Sequence, residues 1–547
     1  MAGGSPSGGQ TPPAAALPPN YLPGSVLTDS GSDSPRQKVI PTRQEFVAAL
    51  GPASPTFRRL FPELQALYQQ VAEAPEVAVR YRQWQAYLSI VYGSAVGDPA
   101  LFIRHTYLSL TARLVARLFL EPGVLLAHPE DLAATVEGAY FREQGIDNFI
   151  EDDFFTWVLH PDAAETGIEL LRRLAQALAA YDFSRARQDL LKGLYEGLVD
   201  PETRHDLGEY YTPDWLAEYL LDAELGLSGN PERSVLDPAC GSGTFLFTAI
   251  RLITAARLQR GEDQFEALIH VLDQVMGMDV HPVAVTIARV NYLLALGDLV
   301  RGPHPPVLLP VYLSNALVLP GSTAQAEPLG GYAEPVHTVH TGEPGLVFEL
   351  PHTVATSPEM LDWLFNRLTQ YLAGAELRSL VQEREEAIQA VLGAFHNYLR
   401  SPKPRTPIPE PLNPFATEMM LRTARRIIEL CLDGQGHLWL FILKNLPASV
   451  YLAQRQFDLV VGNQLGLADG FMARCADLYL KLGGLVAMVT AKAATAEACL
   501  SSGSAALKLE RVVDLEGVSP LFKVPAWGLV AQKVAPGALR QAQGERG

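Results

Sequence analysis

The run VLDPACGSGTFL, residues 235–246, limits what this chain can become more than any other stretch. An apolar strand stops at an acid, Asp237; a turn carrying Gly241 and Gly243 follows, and then the apolar start of a helix. Strand, turn and helix make half of a crossover unit, whose helix carries the chain back to a second strand parallel to the first. The unit recurs. VMGMDV (275–280) leads into the helical pattern PVAVTIARVNYLLAL, and PVYLSNAL (310–317) comes next. FDLVVGN (457–463), GGLVAMVT (483–490), RVVDLEG and WGLVAQKVA supply further strands. This alternation predicts an α/β fold on a parallel, doubly wound sheet with helices on both faces.

Gly241 and Gly243 let the backbone approach a ligand closely, and the amides at the start of the following helix favour a carboxylate or phosphate. Two details depart from the dinucleotide fingerprint G-x-G-x-x-G. Leu246 stands where its third glycine would lie, and the next strand-end acid, Asp279, comes later than that fingerprint places it. Asp237, ahead of the glycines, suits an amino-acid ammonium, and Asp279 suits a ribose diol. Ammonium, carboxylate and ribose together describe S-adenosylmethionine. Taken singly, the glycines could serve only a tight turn and Asp279 only a helix cap before Pro282; their order on successive strand ends favours the ligand. Cys240 reads as a small apolar filler, since a methyl transfer needs no covalent step.

Composition divides the rest of the chain. Residues 1–41, rich in Gly, Pro and Ser, are expected to form a disordered tail. Residues 42–206 carry apolar residues at helical spacing, as in LFIRHTYLSLTARLVARLFL (101–120), and predict an all-helical domain. Residues 207–547 hold the sheet, interrupted at about 320–436 by an insert expected to be mostly helical. In the helical part His105, Glu151, Asp152 and Asp153 form a grouping with metal-ligand chemistry. NFIEDDFF, however, puts its acids where a helix N-terminus favours them, so a solvated helix start is expected and no metal.

With 60 acidic and 43 basic residues the formal net charge is −17, which argues against broad attraction to nucleic acid or an anionic membrane. Any DNA contact must then be local. Cys240, Cys431, Cys475 and Cys499 form no CxxC pair, so a reduced, cytoplasmic setting is expected. The N-terminus lacks the basic start and apolar core of a signal peptide, and no apolar run is read as reaching the ~18 to 20 residues that span a bilayer.

Just upstream of the glycine turn, GEYYTPDWLAEYLL (208–221) reads as a turn and an amphipathic helix beginning near Pro213. In order, GEYYTP, DPACGSGTFL, GMDVHPVAVTIARVNYL and FDLVVGN resemble the motif series of the N6-adenine DNA methyltransferases of restriction-modification and phage-defence systems, over about Leu207 to Lys533. The resemblance implies a Rossmann-like methyltransferase sheet, S-adenosylmethionine as donor, DNA as substrate, and a separate specificity or nuclease subunit as a candidate partner. It also implies that Tyr211, Thr212 and Pro213 lie against the methionine part of the cofactor. Asp237, Pro238, Ala239, Cys240, Gly241 and Gly243 would cradle it, and Asp279 with Val280 would hold the ribose. Asn315 stands where the family usually carries an Asp near the adenine ring.

The exocyclic amine of adenine is a poor nucleophile because its lone pair is delocalised into the ring. Accepting both of its N–H hydrogens on fixed oxygens localises that pair, and an aromatic ring stacks the flipped base. The family does this with Asn-Pro-Pro-aromatic. Here Asn463 is followed by Gln464, Leu465 and Gly466. Asn463 and the Gln464 carbonyl remain as acceptors, while the rigid turn and the ring are gone. The next helix is expected to start about Asp469 or Gly470, which leaves no room for the longer DNA-facing segment of the family, and ALRQAQGERG closes the chain with no expected target-recognition domain. The leading expectation is an N6-adenine DNA methyltransferase; the alternative is a catalytically impaired, cofactor-binding or scaffold remnant of one. Methylation of a protein glutamine amide uses a similar Asn-Pro-Pro-Tyr site, but GEYYTP and the large helical part speak for DNA. No Asp…Glu-x-Lys set marks a nuclease.

Overall fold

The computed structural model describes residues 38–535 apart from 93–96, 151–152, 187, 199–211, 324–331, 342, 344, 373–383, 401–410, 436–437, 464, 466–469, 493–499, 501–505, 519–521 and 523. Nearly all of the expected tail, Glu151, Asp152, Tyr211, Gln464, Cys499 and the boundary at 206/207 lie outside the described residues.

Seven strands form the main sheet: β1 (Val235–Asp237), β2 (Val275–Asp279), β3 (Val311–Leu313), β7 (Phe457–Asn463), β8 (Leu480–Ala491), β9 (Ala506–Asp514) and β10 (Ala526–Val534). Their order is β3-β2-β1-β7-β8-β10-β9. The first five run parallel, and β10 lies antiparallel to both β8 and β9. The chain builds outward from β1 to β3 and returns on the other side of β1 as β7. In a doubly wound sheet such a reversal opens a crevice beyond the carboxyl ends of the two strands, here β1 and β7. The sheet thus follows the expected α/β plan.

The insert departs from expectation. Before its helices it holds a second, antiparallel sheet of β4 (Gly321–Thr323), β5 (Val336–His340) and β6 (Val347–Pro351). These strands are short and flanked by Pro and Gly, so their alternation is easily lost in what reads as loop. The helices Pro358–Leu372, Arg384–Arg400 and Pro414–Leu430 follow as expected.

The helical part is joined intimately to the sheet, and residues from Val39 onward form one compact unit. Val39, assigned to the tail, is ordered: its N–H donates to Ala180 O at 3.0 Å and its carbonyl accepts from Asp182 N at 2.9 Å. The helix Pro99–Leu120, buried on almost every face, packs on the helix Pro282–Leu296 that follows β2. At this contact the His105 and His281 rings meet edge to face, 5.0 Å apart, and Trp84 Nε1 donates to His105 Nδ1 at 3.2 Å. Asn148 makes two hydrogen bonds to the backbone of Leu309, at 2.9 and 2.7 Å, just ahead of β3.

Two further expectations are corrected. Asp153 does not sit at a solvated helix start. It is buried, accepts from Arg113 Nη2 at 2.5 Å and from Phe155 N at 2.8 Å, and so neutralises a fully buried guanidinium. Among the described residues no group of three His, Cys, Asp or Glu is placed to hold a metal. Second, Pro282–Val300 is long and apolar enough to cross a membrane, contrary to the sequence reading, yet 72% of its apolar window is buried inside the protein. It is a core helix, whose Arg289 donates to Val311 O at 2.9 Å and Asn445 Oδ1 at 3.0 Å.

Burial pushes His281 down to about 3 and His105 well below its usual range, so both rings are neutral in the folded chain. Unfolded, they protonate near pH 6.5, so their contribution is complete above that pH and is lost as pH falls toward the folded values. The loss approaches ~1.4 kcal/mol per pH unit for each ring. A His105→Gln/His281→Gln chain should lose this slope between pH 6.5 and 5 in urea unfolding; a slope equal to that of the native sequence contradicts the assignment.

Candidate functional site

Four strand ends meet at the crevice. Asp237 closes β1, Asp279 closes β2, Asn315 lies just past β3, and Asn463 closes β7. Asp237 and Asn463 flank the reversal point. A methyl group placed on Gly462 would lie 3.2 Å from Asp237 Oδ1, so β7 runs hard against the β1 acid.

The glycine turn is built from the backbone outward. Gly241 and Gly243 have φ of 53° and 84°, the left-handed region that side chains resist. Cys240 N donates to Met278 O at 3.0 Å, Gly243 N to Cys240 O at 2.7 Å, and Phe247 N to Gly243 O at 2.8 Å as the helix Thr244–Gln259 begins. A Cβ on Gly243 would stand 3.2 Å from Ala288, whereas one on Gly241 would meet nothing within 4 Å. One glycine therefore seats the turn on a neighbouring helix, and the other presents bare backbone to open space.

Asp279 joins this turn to β2. Its Oδ2 accepts from Gly241 N at 2.9 Å and its Oδ1 from His281 N at 2.8 Å. Burial pushes its carboxyl above the usual range, partly offset by the amides of His281, Gly241 and Val280. Asp237 is fully buried and accepts from Ala239 N at 3.2 Å. Burial, with Asp279 adding to it, raises Asp237 well above a normal carboxylate. Pro238 is buried, and Ala239, Val280 and Asn315 are half-buried. Burial pushes the Cys240 thiol well up, which disfavours the thiolate that nucleophilic chemistry would need.

Thr212 is buried and its carbonyl accepts from Lys192 Nζ, while Pro213 precedes the helix Asp214–Glu218. Lys192 sits in a run that sequence reading passed over as generic helix; the signal available was a lysine in an otherwise apolar helical pattern.

Asn463 Oδ1 accepts from Leu465 N at 3.0 Å, and Leu465 is buried. This backbone donor occupies one of the two acceptor positions of the amide oxygen. Asn315 Oδ1 is bound in the same way, by Leu317 N at 2.8 Å.

A separate cleft of about 1520 Å³ lies toward the beginnings of β2 and β3, bordered by Arg80, Met276, Pro310, Asp362 and Lys444. It contains none of the residues singled out in the sequence. Ligands of doubly wound sheets bind beyond the carboxyl ends of the strands, so the candidate site is the crevice and not this cleft.

Fold and site together define an α/β chain whose strand ends bring two carboxylates, a glycine turn and two amides to one crevice. Residues 186–298, which include β1, the glycine turn and β2, match the family model described as N-6 DNA Methylase. The adenine-specific methyltransferase PglX of Streptomyces coelicolor is 33% identical over 111 residues, 19% of this chain and 9% of that protein. The type I restriction enzyme EcoEI methylase subunit of Escherichia coli is 32% identical over 99 residues, 17% of this chain and 19% of that one. These matches span less than a fifth of either relative. Among solved structures, the type ISP restriction-modification enzyme LlaGI, a nuclease-deletion mutant with a DNA substrate mimic, is 10% identical with a TM-score of 0.37, covering 89% of this chain and 35% of that one. A modification subunit of a putative type I restriction enzyme from Vibrio vulnificus YJ016 is 13% identical with a TM-score of 0.34, covering 87% and 82%.

Gly243→Ala should destabilise the chain by about 1 to 3 kcal/mol, from the left-handed backbone and the crowding of Ala288 together. Gly261→Ala, with φ of 92° and open space around it, supplies the backbone cost alone. Equal losses for the two in urea unfolding would show that the Ala288 contact is not tight.

Proposed function

We propose that this chain binds S-adenosylmethionine beyond the carboxyl ends of β1 and β2 and transfers its methyl group to the N6 amine of adenine in DNA, in a restriction-modification or phage-defence system. The observation that carries the reading is the placement of Asn463 at the end of β7, against the Asp237 end of β1 and next to the segment similar to N-6 DNA methylases.

The residues present fit such a cofactor. Asp237 is a buried carboxylate with no paired cation among the described residues, and an ammonium would offset the cost of its burial. Asp279 spends one acceptor position of each oxygen on backbone amides and keeps others for a diol. The open side of Gly241 and the helix start at Thr244 suit a carboxylate. Tyr211, Thr212 and Pro213 would flank the methionine part and Asn315 the adenine ring. When bound, the cofactor supplies an electrophilic sulfonium methyl.

Asn463 then accepts one N–H of the target adenine and the Gln464 carbonyl the other. That concentrates the lone pair on the amine and turns it toward the methyl group. The nitrogen becomes acidic on methylation and releases its proton without a dedicated base. Leu465 N–H competes for the same Asn463 oxygen, and this favours a second reading in which the chain binds cofactor with transfer suppressed. The charge of −17 suggests that a separate specificity or nuclease subunit provides the cationic surface for DNA.

Incubation with methyl-labelled cofactor and mixed-sequence duplex, with detection of N6-methyladenine by mass spectrometry, tests both readings. The proposal expects incorporation that falls about 10²- to 10³-fold in Asn463→Ala, the cost of losing one preorganised hydrogen-bonding group. It expects a gain in Leu465→Pro, which removes the competing donor. Background incorporation in the native chain with recovery in Leu465→Pro supports the suppressed reading; background in both, with the partner specificity subunit also supplied, sinks the transfer claim.

A further inference from the structure

The two segments assigned to the cofactor, Thr212–Pro213 and the glycine turn, are distant in sequence, and both are tied to one helix outside the sheet, Leu190–Leu198. Asp189 precedes this helix and caps it, its Oδ1 accepting from Lys192 N at 3.0 Å. Its other oxygen faces away from the helix, toward the turn, where Ser242 Oγ donates to Oδ2 at 2.7 Å. Ser242 lies between the two left-handed glycines, and its carbonyl accepts from Asn291 Nδ2 at 2.8 Å. Asp189, Ser242 and Asn291 are all buried.

Lys192, also buried, sends its Nζ to the carbonyl of Thr212. Arg43 completes the arrangement from the first helix, Arg43–Leu50. Its Nε donates to the Asp189 carbonyl at 3.1 Å, and its Nη2 to Asp214 at 3.0 and 3.2 Å, next to Pro213. Gly193 makes this possible, because a Cβ there would stand 2.5 Å from Arg43 Cγ.

Burying a carboxylate and an ammonium costs more than an apolar pair of similar volume would. Burial pushes Asp189 up and Lys192 down, and each opposes the shift of the other. What the pair provides in return is directional: one oxygen fixed on the turn and one ammonium fixed on a carbonyl, across a junction where apolar packing alone would tolerate sliding.

We propose that Asp189 and Lys192 are positioning residues for S-adenosylmethionine, a strut that sets the glycine turn and the Thr212–Pro213 segment at the spacing the cofactor requires. The proposal rests on the cofactor site proposed above. Asp189 acts through Ser242 and Lys192 through Thr212; neither touches the cofactor. The strut makes the helical segment part of the binding site, with affinity for cofactor controlled by side chains that precede the sheet.

Calorimetric titration with S-adenosylmethionine, well below each thermal transition, tests this in the full chain and in Ser242→Ala, Lys192→Met and Lys192→Arg. Ser242→Ala removes the tie while leaving the helix cap intact, so it separates positioning from folding. The expected result is a Kd raised ~10- to 100-fold in Ser242→Ala and Lys192→Met, the size of effect seen when a group that orients a metal ligand is removed, with partial recovery in Lys192→Arg. Hydrogen exchange without cofactor should be faster at residues 239–244 in Ser242→Ala and at 212–216 in Lys192→Met. If the native chain binds and the folded variants bind equally well, the strut is overturned and the cofactor site stands. If the native chain shows no saturable binding, the cofactor site falls and the positioning role with it.

Discussion

The carboxylate of Asp279 is the fixed point of the crevice. By accepting from Gly241 N and His281 N it holds the turn after β1 to the end of β2 and starts the helix Pro282–Leu296. Two parallel strands alone would align their ends only through ladder bonds. Here a side chain adds a bond across the rim, between the turn after β1 and the end of β2. The left-handed backbone of Gly241 and Gly243, open to glycine alone, is positioned by this bond on one side and by the seating of Gly243 on Ala288 on the other. Each oxygen of this carboxylate accepts one of these backbone amides and keeps a further acceptor position, which is what the proposed ribose contact requires.

The sheet was largely readable because its strands are short apolar runs ended by punctuation. VLDPACGSG, VMGMDVHP and FDLVVGN each stop at a polar residue, and the structure ends β1, β2 and β7 at Asp237, Asp279 and Asn463. The helix after β7 was expected to start about Asp469 or Gly470, and it begins at Phe471 with Gly470 as its cap. What sequence could not convey was pairing across distance. Asp153 looked like a helix-start acid because Arg113, its partner 40 residues earlier, lies in another helix. The strand character of 321–351 was concealed by Pro and Gly, and the apolar helix Pro282–Val300 was underestimated because Arg289 and Asp298 interrupt it. Within the site, the residue types were legible, but the hydrogen bond from Leu465 N to Asn463 was not. It joins a side-chain oxygen to a backbone amide two residues on, and either of the two could have had another partner.

The helical segment changes meaning once the contacts are traced. By composition it was a neighbour of the sheet. In the structure it supplies His105 against His281, Asn148 against Leu309, Asp189 against the glycine turn and Lys192 against Thr212. A crevice whose walls come from strand ends alone would owe its shape to the sheet. This one is also bordered by side chains from residues 43–198, whose buried charged groups are each held by directional hydrogen bonds that offset part of their desolvation cost.

A structure of the chain with S-adenosylhomocysteine tests the central claim most directly. The account predicts the ligand beyond the ends of β1 and β2, its ribose hydroxyls on Asp279, its ammonium beside Asp237 and its sulfur facing Asn463. A ligand bound elsewhere, such as in the cleft between Arg80 and Lys444, or one that reaches the crevice with its ribose away from Asp279, would contradict it.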